Sequence, residues 1–381
     1  MAGLRVLLLS AYDATSHQQW RKGLEANLPA YDWTVLTLPA RHFNWRIRGN
    51  SLSWALTQRE RLSRPYDRLI ATSMVDVATL RGLVPALGTV PTLLYFHENQ
   101  FAYPLSHQAE ERLEPKMVQL YGALAADIAV FNSEYNRQTF MQGVAALLKK
   151  MPDAVPPGVM AQLAGKSSVL PVPLETRHVV KPSSQQRGHL QIIWNHRWEY
   201  DKAPEVFFAA LQQLSARGVE FTVHVVGQRF RRVPPLFREM REKLAAHAGE
   251  WGWIEKRENY LRLLRQAQVV VSTARHDFQG LGVLEAVAAG CLPLVPDRLA
   301  YPEWFPARWR YPSTPEDSGQ EALSLAVRLQ ELAEMQKNGG LPRAPDVSYL
   351  GWERLGSRYR ALIEESVIQS RENDSWTELP S

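Results

Sequence analysis

Short apolar runs alternate with helix-length stretches twice along this chain, and that alternation restricts the fold more than any other feature. In the first half, Leu4–Leu9, Thr34–Leu38, Arg68–Ala71, Thr92–Phe96 and Ile128–Phe131 read as strands. Helix-length segments lie between them at Gln18–Leu28, Leu52–Leu62, Val75–Leu83, Arg112–Ala125 and Glu134–Leu148. Strands separated by helices imply a parallel sheet with right-handed crossovers. The pattern weakens between Met151 and Lys166, passes Pro171 and Pro173, and crosses a polar segment, Lys181–Gly188. It then restarts, with strands at Gln191–Asn195, Glu220–Val226, Gln268–Ser272 and Leu292–Val295. Helices are expected at Glu205–Leu214, Leu236–Ala246, Asn259–Gln266, Gln320–Met335 and Tyr349–Ser366. At about 150 residues per domain, 381 residues suggest two domains or three. The expectation is an α/β chain of two Rossmann-like domains, 1–182 and 183–350, with parallel sheets facing across a cleft. Residues 351–381 are expected to form a C-terminal helix that packs back on the N-terminal domain, followed by a polar tail.

Composition excludes several classes. A single cysteine, Cys291, rules out an intrachain disulfide and a cysteine-based zinc site, and fits a reducing cytoplasm. No stretch approaches the roughly 18 apolar residues that span a bilayer, so no membrane partner is expected. No Walker-type loop and no Gly-x-Gly-x-x-Gly after the first strand are present, which argues against a kinase and a nicotinamide dehydrogenase. No metal-ligand spacing stands out, so no metal and no cofactor are expected.

The stretch most suggestive of chemistry is His276-Asp277-Phe278-Gln279-Gly280-Leu281-Gly282-Val283-Leu284-Glu285-Ala286. It follows the apolar run Val269–Ser272 and leads into a helix expected over Leu284–Ala289. A strand, a glycine turn and a helix start gather free backbone N–H groups, which suits a phosphate. Asp277 and Glu285 could bond hydroxyls of a sugar or ribose beside it. This reads as a nucleotide-sugar site, or else as a βα turn with a charged cap. Earlier in the same half, Arg197 and Lys202 leave a strand end just before Pro204 opens a helix. The two cations could clamp a diphosphate and stabilise it as a leaving group, or pair with Glu199 and Asp201 on the surface.

In the first half, polar clusters follow strands at His97-Glu98-Asn99-Gln100 and at Asn132-Ser133-Glu134, where α/β sheets build their ligand crevices. Ser16 and His17, after Ala14-Thr15, could meet a phosphate or an acceptor, or merely cap a helix. Arg41, Arg46 and Arg48 alternate with His42, Phe43 and Trp45. Arginine interleaved with aromatics can neutralise phosphates and stack on bases, although a solvated face looks the same.

Taken together, these features resemble the retaining GT-B glycosyltransferases of family 4. The resemblance rests on the two Rossmann-like halves, on Arg197 and Lys202, and on an acid-x7-acid motif, Asp277 to Glu285. More specifically, five segments are similar to the tRNA-queuosine α-mannosyltransferase family: Phe96 to Pro104, Phe131 to Asn136, His196 to Glu205, His276 to Ala286 and Tyr301 to Pro306. Leu38 to Arg48 is similar as well. The resemblance implies transfer of mannose from GDP-mannose to queuosine at the tRNA wobble position, with retention and without a metal. It implies that Arg197 and Lys202 hold the donor diphosphate, Glu285 the ribose, Asp277 the transferred sugar, and the Gly280-Leu281-Gly282 backbone the phosphate end. His97 would lie beside the anomeric carbon. The implied acceptor side comprises Ser16, His17, Arg41, Trp45, Arg46, Arg48, Glu98, Asn99 and Asn132. Two positions depart from the family pattern: Asp277 replaces a glutamate, and Ala14-Thr15 replaces two glycines. Two other readings remain: a family 4 enzyme with another nucleotide hexose or a non-tRNA acceptor, and a nucleic-acid-binding protein with a vestigial transferase site.

Overall fold

The computed structural model describes residues 3–103, 112–175, 188–228 and 234–365. Pro104, the proposed 182/183 boundary and the polar tail fall outside them. By internal contacts the chain divides into two units, Met1–Pro173 with Trp352–Ser381, and Leu174–Gly351.

The first unit carries β1 (Arg5–Ser10), α1 (Thr15–Asn27), β2 (Asp32–Thr37), α2 (Phe43–Thr57), α3 (Arg59–Leu62), β3 (Arg68–Thr72) and α4 (Val77–Leu83). It continues through β4 (Thr92–Phe96), α5 (Leu113–Ala125), β5 (Ile128–Phe131), α6 (Glu134–Lys149), α7 (Val159–Gly165) and β6 (Ser167–Val169). The second unit carries β7 (Leu190–Trp194), α8 (Pro204–Ala216), β8 (Phe221–Val226), α9 (Pro235–Lys243), β9 (Ala248–Gly252) and α10 (Arg257–Gln266). After these come β10 (Val269–Val271), α11 (Leu281–Ala288), β11 (Leu292–Pro296), α12 (Tyr301–Trp304), β12 (Arg310–Tyr311) and α13 (Ser318–Lys337). A last helix, α14 (Trp352–Glu364), belongs to the first unit.

Each unit is a six-stranded parallel sheet, in the order β2-β1-β3-β4-β5-β6 and β12-β11-β10-β7-β8-β9. Helices cover both faces of such sheets, so central strands are apolar throughout: β4 and β11 are buried along their whole length. In each sheet the strand order reverses once, between β1 and β3 and between β7 and β10. The loops that leave the sheet there diverge to opposite faces and open a crevice at the carboxyl ends of the strands.

Three elements differ from the sequence expectation for identifiable reasons. Helix α2 begins at Phe43, not Leu52, because its inward face is built from polar residues: Arg46, Asn50 and Ser51 are buried, so no apolar period marks its first turns. The Asn50 side chain donates to the carbonyls of Arg46, Ile47 and Met74, which satisfies it inside the fold. Strand β9 carries two glycines and one tryptophan at a sheet edge, where only one side needs a partner, and lacks an apolar run. Helix α11 starts three residues earlier than Leu284, because Gly280 adopts φ +76° and lets the chain turn directly into it.

Helix α14 packs on α1. The Trp20 indole donates to the Tyr359 hydroxyl (3.1 Å), whose single proton can go to Pro171 O or to Tyr95 Oη (3.0 Å each). A Cβ on Gly23 would meet the Trp352 ring at 2.4 Å, so only glycine admits that indole.

Candidate active site

In the second unit the loops after β7 and β10 are neighbours because those strands flank the order reversal. The β7–α8 loop brings in Arg197, Asp201 and Lys202; the β10–α11 loop brings in His276 and Asp277. Lys202 is buried, and its ammonium lies 3.3 Å from Asp201 and 3.8 Å from Asp277 while donating to the His276 carbonyl. Arg197 is half-exposed and reaches Glu199 at 3.1 Å and Asp201 at 3.9 Å. Burial pushes the Asp201 carboxyl up, yet Lys202, His276 and Arg197 outweigh it and hold the group far below the usual carboxylate range. Asp201 is thus an ionised anchor that fixes both cations. The same burial lowers His276, and it takes His196 down to about 4, with Lys202 nearby adding to the effect.

The backbone here is strained. Ala203, which follows Lys202, holds φ +44°, a conformation costly for any residue with a Cβ. The surrounding contacts enforce it: Thr273 Oγ1 donates to the Lys202 carbonyl (2.7 Å), and the Arg275 amide donates to the Asp201 carbonyl (2.8 Å). The Asn195 side chain, at the end of β7, donates to Gly282 O (2.7 Å) and Tyr260 Oη (2.9 Å), tying the start of α11 to the sheet.

Asp277 is held from two sides. Its carboxylate accepts from the Gly280 amide (3.2 Å) and from the Tyr301 hydroxyl (3.1 Å), and that hydroxyl also meets Ser272 Oγ at 2.6 Å. Burial and the adjacent Asp277 raise Tyr301 well above its ordinary range, so it stays a donor. A Cβ on Gly280 would stand 2.8 Å from the Tyr301 ring, which excludes any other residue there on space as well as on φ. Glu285 lies in the second turn of α11 and is paired with Arg257, a partner that the spacing of the motif gave no means of finding. Gly280, Leu281 and Gly282 form the turn and first residues of that helix.

In the first unit His17 from α1 and His97 from the end of β4 come together, ring centroids 4.1 Å apart. Both are buried, and the Nε2 atom of each is sealed without a hydrogen-bond partner. Burial takes His17 down to about 4 and His97 well below the ordinary range, each imidazole being neutral near pH 7. Trp20 and Tyr95 wall the pair, both at 4.8 Å from His97. Ser16 does not cap α1: its hydroxyl is 3.5 Å from His17 Nδ1, and Ala14 occupies the cap position without a side-chain bond.

Asn99 and Asn132, expected on the acceptor side, are both hydrogen-bonded within the fold. Asn99 is fully buried; its amide donates to Asn136 and Thr139 and its oxygen accepts from the Phe101 and Ala102 amides. Asn132 donates to the His97 carbonyl (2.9 Å) and accepts from Asn136 (2.8 Å). Both therefore position the loop that presents His97. The Glu98 carbonyl accepts from Ser73 (3.0 Å), a further brace on that loop. Arg48 is paired with Asp76 and with Glu114 (3.2 Å). Arg41 and Trp45 are exposed, and Arg46 is buried. Among the described residues no group of three or more His, Cys, Asp or Glu is placed to hold a metal ion, and no helix is long and apolar enough to cross a membrane.

Solved structures share this fold. A sucrose-phosphate synthase from Thermosynechococcus elongatus superimposes with a TM-score of 0.70 at 16% identity, over 95% of this chain and 100% of that one. HepE from Anabaena, solved in complex with UDP, superimposes with a TM-score of 0.65 at 12% identity, over 95% and 100% respectively. Two six-stranded parallel α/β units of this kind make the GT-B fold. Residues 5–174 match the N-terminal region that defines tRNA-queuosine alpha-mannosyltransferases. A tRNA-queuosine alpha-mannosyltransferase of Drosophila melanogaster is 33% identical over 311 residues, which are 79% of this chain and 81% of that relative. The chain belongs to the tRNA-queuosine alpha-mannosyltransferase family.

Proposed function

We propose that this protein transfers mannose from GDP-mannose to queuosine at the wobble position of tRNA, retaining the anomeric configuration and requiring no metal. The observation that carries the donor half is the convergence of Lys202 and Arg197 on the ionised Asp201, beside Asp277 and the start of α11. A diphosphate set against two positioned cations leaves with its developing charge already matched, without solvent reorganisation. Asp277 then takes the sugar hydroxyls, Glu285 the ribose, and the Gly280–Gly282 backbone the phosphate end. On the acceptor side His97, neutral and walled by aromatic rings, suits a sugar ring with little formal charge. The departing diphosphate oxygen takes the proton of the queuosine hydroxyl as the new glycosidic bond forms on the same face. This balances the reaction: one sugar–oxygen bond breaks, one forms, and the proton ends on the nucleotide.

The test is a panel of nucleotide sugars incubated with queuosine-bearing and queuosine-free tRNA, followed by mass analysis of the nucleosides. A hexose on queuosine with GDP-mannose, and none on the queuosine-free tRNA, is the expected result. Transfer only from another donor would reject the sugar assignment, and no transfer to either tRNA would reject the acceptor.

A further inference from the structure

We infer that Trp45 and Arg46, on the first turn of α2, form the RNA contact of the first unit: Arg46 receives a backbone phosphate and Trp45 stacks a base, whereas Arg48 serves the fold. This deepens the proposal of a tRNA acceptor and rests on it. The starting observation is an orphaned cation. Arg46 is 8% exposed, its Nε is sealed from solvent without a hydrogen-bond partner, and among the described residues no carboxylate, carbonyl or aromatic ring engages its guanidinium. An arginine keeps its charge when buried, because its guanidinium is not deprotonated in proteins. Holding it desolvated without a counter-charge costs stability unless an anion arrives. Among the described residues the other buried Lys or Arg, Lys202, has Asp201 at 3.3 Å, and the part-buried Arg298 has Glu321 at 2.6 Å. A planar guanidinium presents paired N–H donors whose spacing matches two oxygens of a phosphate.

The second observation is the neighbouring side chain. Trp45 is 55% exposed, unusual for so large an apolar ring, and it lies flat against the helix because residue 49 is glycine: a Cβ there would meet the indole at 2.5 Å. One face of the indole is therefore fixed on the helix, leaving the other as a stacking platform. A phosphate receptor and a base platform on successive residues match the repeat of a single-stranded nucleotide, which a small anion or a lipid surface would not require. Arg48, in contrast, is closed off by Asp76 and Glu114, and Asp76 is itself the cap of α4. Sequence alone gave the three arginines equal weight; only burial and pairing separate them.

The experiment is tRNA binding by fluorescence anisotropy from about 50 to 200 mM salt, with thermal melts confirming that each variant is folded. Arg46→Gln is expected to bind about tenfold more weakly and to lower the slope of log affinity against log salt by about one. Arg46→Lys keeps the charge but not the fork, so it should restore the slope and only part of the affinity. Trp45→Ala should weaken binding roughly tenfold with an unchanged slope, and Arg48→Gln should leave the slope unchanged. A slope unaltered by Arg46→Gln, or lowered equally by Arg48→Gln, overturns the assignment. Binding is read without the donor, so its outcome is separate from that of transfer: a protein that modifies no queuosine while its salt slope still depends on Arg46 loses the proposed acceptor and keeps the RNA contact.

Discussion

The polar cluster around Lys202 in the second unit and the one around His97 in the first are built in opposite ways. At the reversal of strand order in the second unit, the groups are charged and mutually neutralising: Lys202, Asp201, Asp277 and Arg197 form one network within 4 Å contacts. Around His97 in the first unit, at the carboxyl ends of β4 and β5, they are neutral: two imidazoles and a set of amides from Asn99, Asn132 and Asn136, with the charged pairs Asp13–Arg21 and Asp76–Arg48 lying after β1 and β3. The same topology thus supplies two chemically different clusters. The charged network suits the diphosphate proposed for the donor, and the neutral cluster suits the hydroxylated ring proposed for the acceptor. The difference predicts that substitutions of the second unit's cations act on bond breaking, and that those around His97 act on acceptor handling and on response to pH.

The sharpest way to break this contrast is Lys202→Ala. Loss of one preorganised electrostatic stabiliser costs about a hundredfold or more in turnover. It also leaves Asp201 buried beside fewer positive charges, and breaking a buried pair costs about 3–5 kcal/mol of stability. Arg197→Gln, at a half-exposed position, tests the same role without that penalty and should lower turnover about tenfold. Single-turnover transfer measured beside thermal melts separates the two effects. Near-normal turnover in both variants would remove the leaving-group role from the second unit.

A smaller effect tests the neutral side. An unfolded histidine takes up a proton near 6.5, whereas folded His17 does so only at about 4. Between those values the unfolded chain binds more protons, so stability is full above about pH 6.5 and falls as pH drops towards 4. For His17 alone the loss by pH 4.5 is about 2–3 kcal/mol. His97 is shifted in the same direction and adds to it. Urea titrations at pH 7 and pH 4.5 should show His17→Gln losing less on acidification than the parent. An identical loss would place the acid sensitivity elsewhere.

Much of the fold could be read from the chain, and much less of the site. Parallel strands are buried on both faces, so their residues are apolar without interruption and visible as runs, as in Thr92–Phe96 and Val269–Val271. The loops that carry Arg197, Lys202, Asp277 and His97 follow those runs directly, so their positions were legible too. What stayed hidden depends on which side chain meets which across the sheet. Asp201 reads as a surface ion partner until its burial is known. Tyr301 is separated from Asp277 by a helix and a strand, and Arg257 from Glu285 by 28 residues. Asn99 and Asn132 carry the composition of a binding site while serving the backbone, and no pattern of residues distinguishes those two uses.

Tyr301 offers the finest test, because it separates positioning from charge within one unit. Its hydroxyl, kept protonated by burial, stands between Ser272 and Asp277 and fixes the carboxylate that is proposed to bind the transferred sugar. Asp277 is one methylene shorter than a glutamate, so the direction in which its carboxylate points matters more. Tyr301→Phe removes the hydroxyl and keeps the ring that packs over Gly280. The lost bond corresponds to about 1 kcal/mol, or roughly a fivefold rise in the KM for the nucleotide sugar. Because Lys202 and Arg197 are untouched, kcat should stay within about twofold. A fall in kcat with unchanged KM would mean that Tyr301 acts on bond breaking, and the division between a cation pair that drives departure and an acid that holds the sugar would not stand.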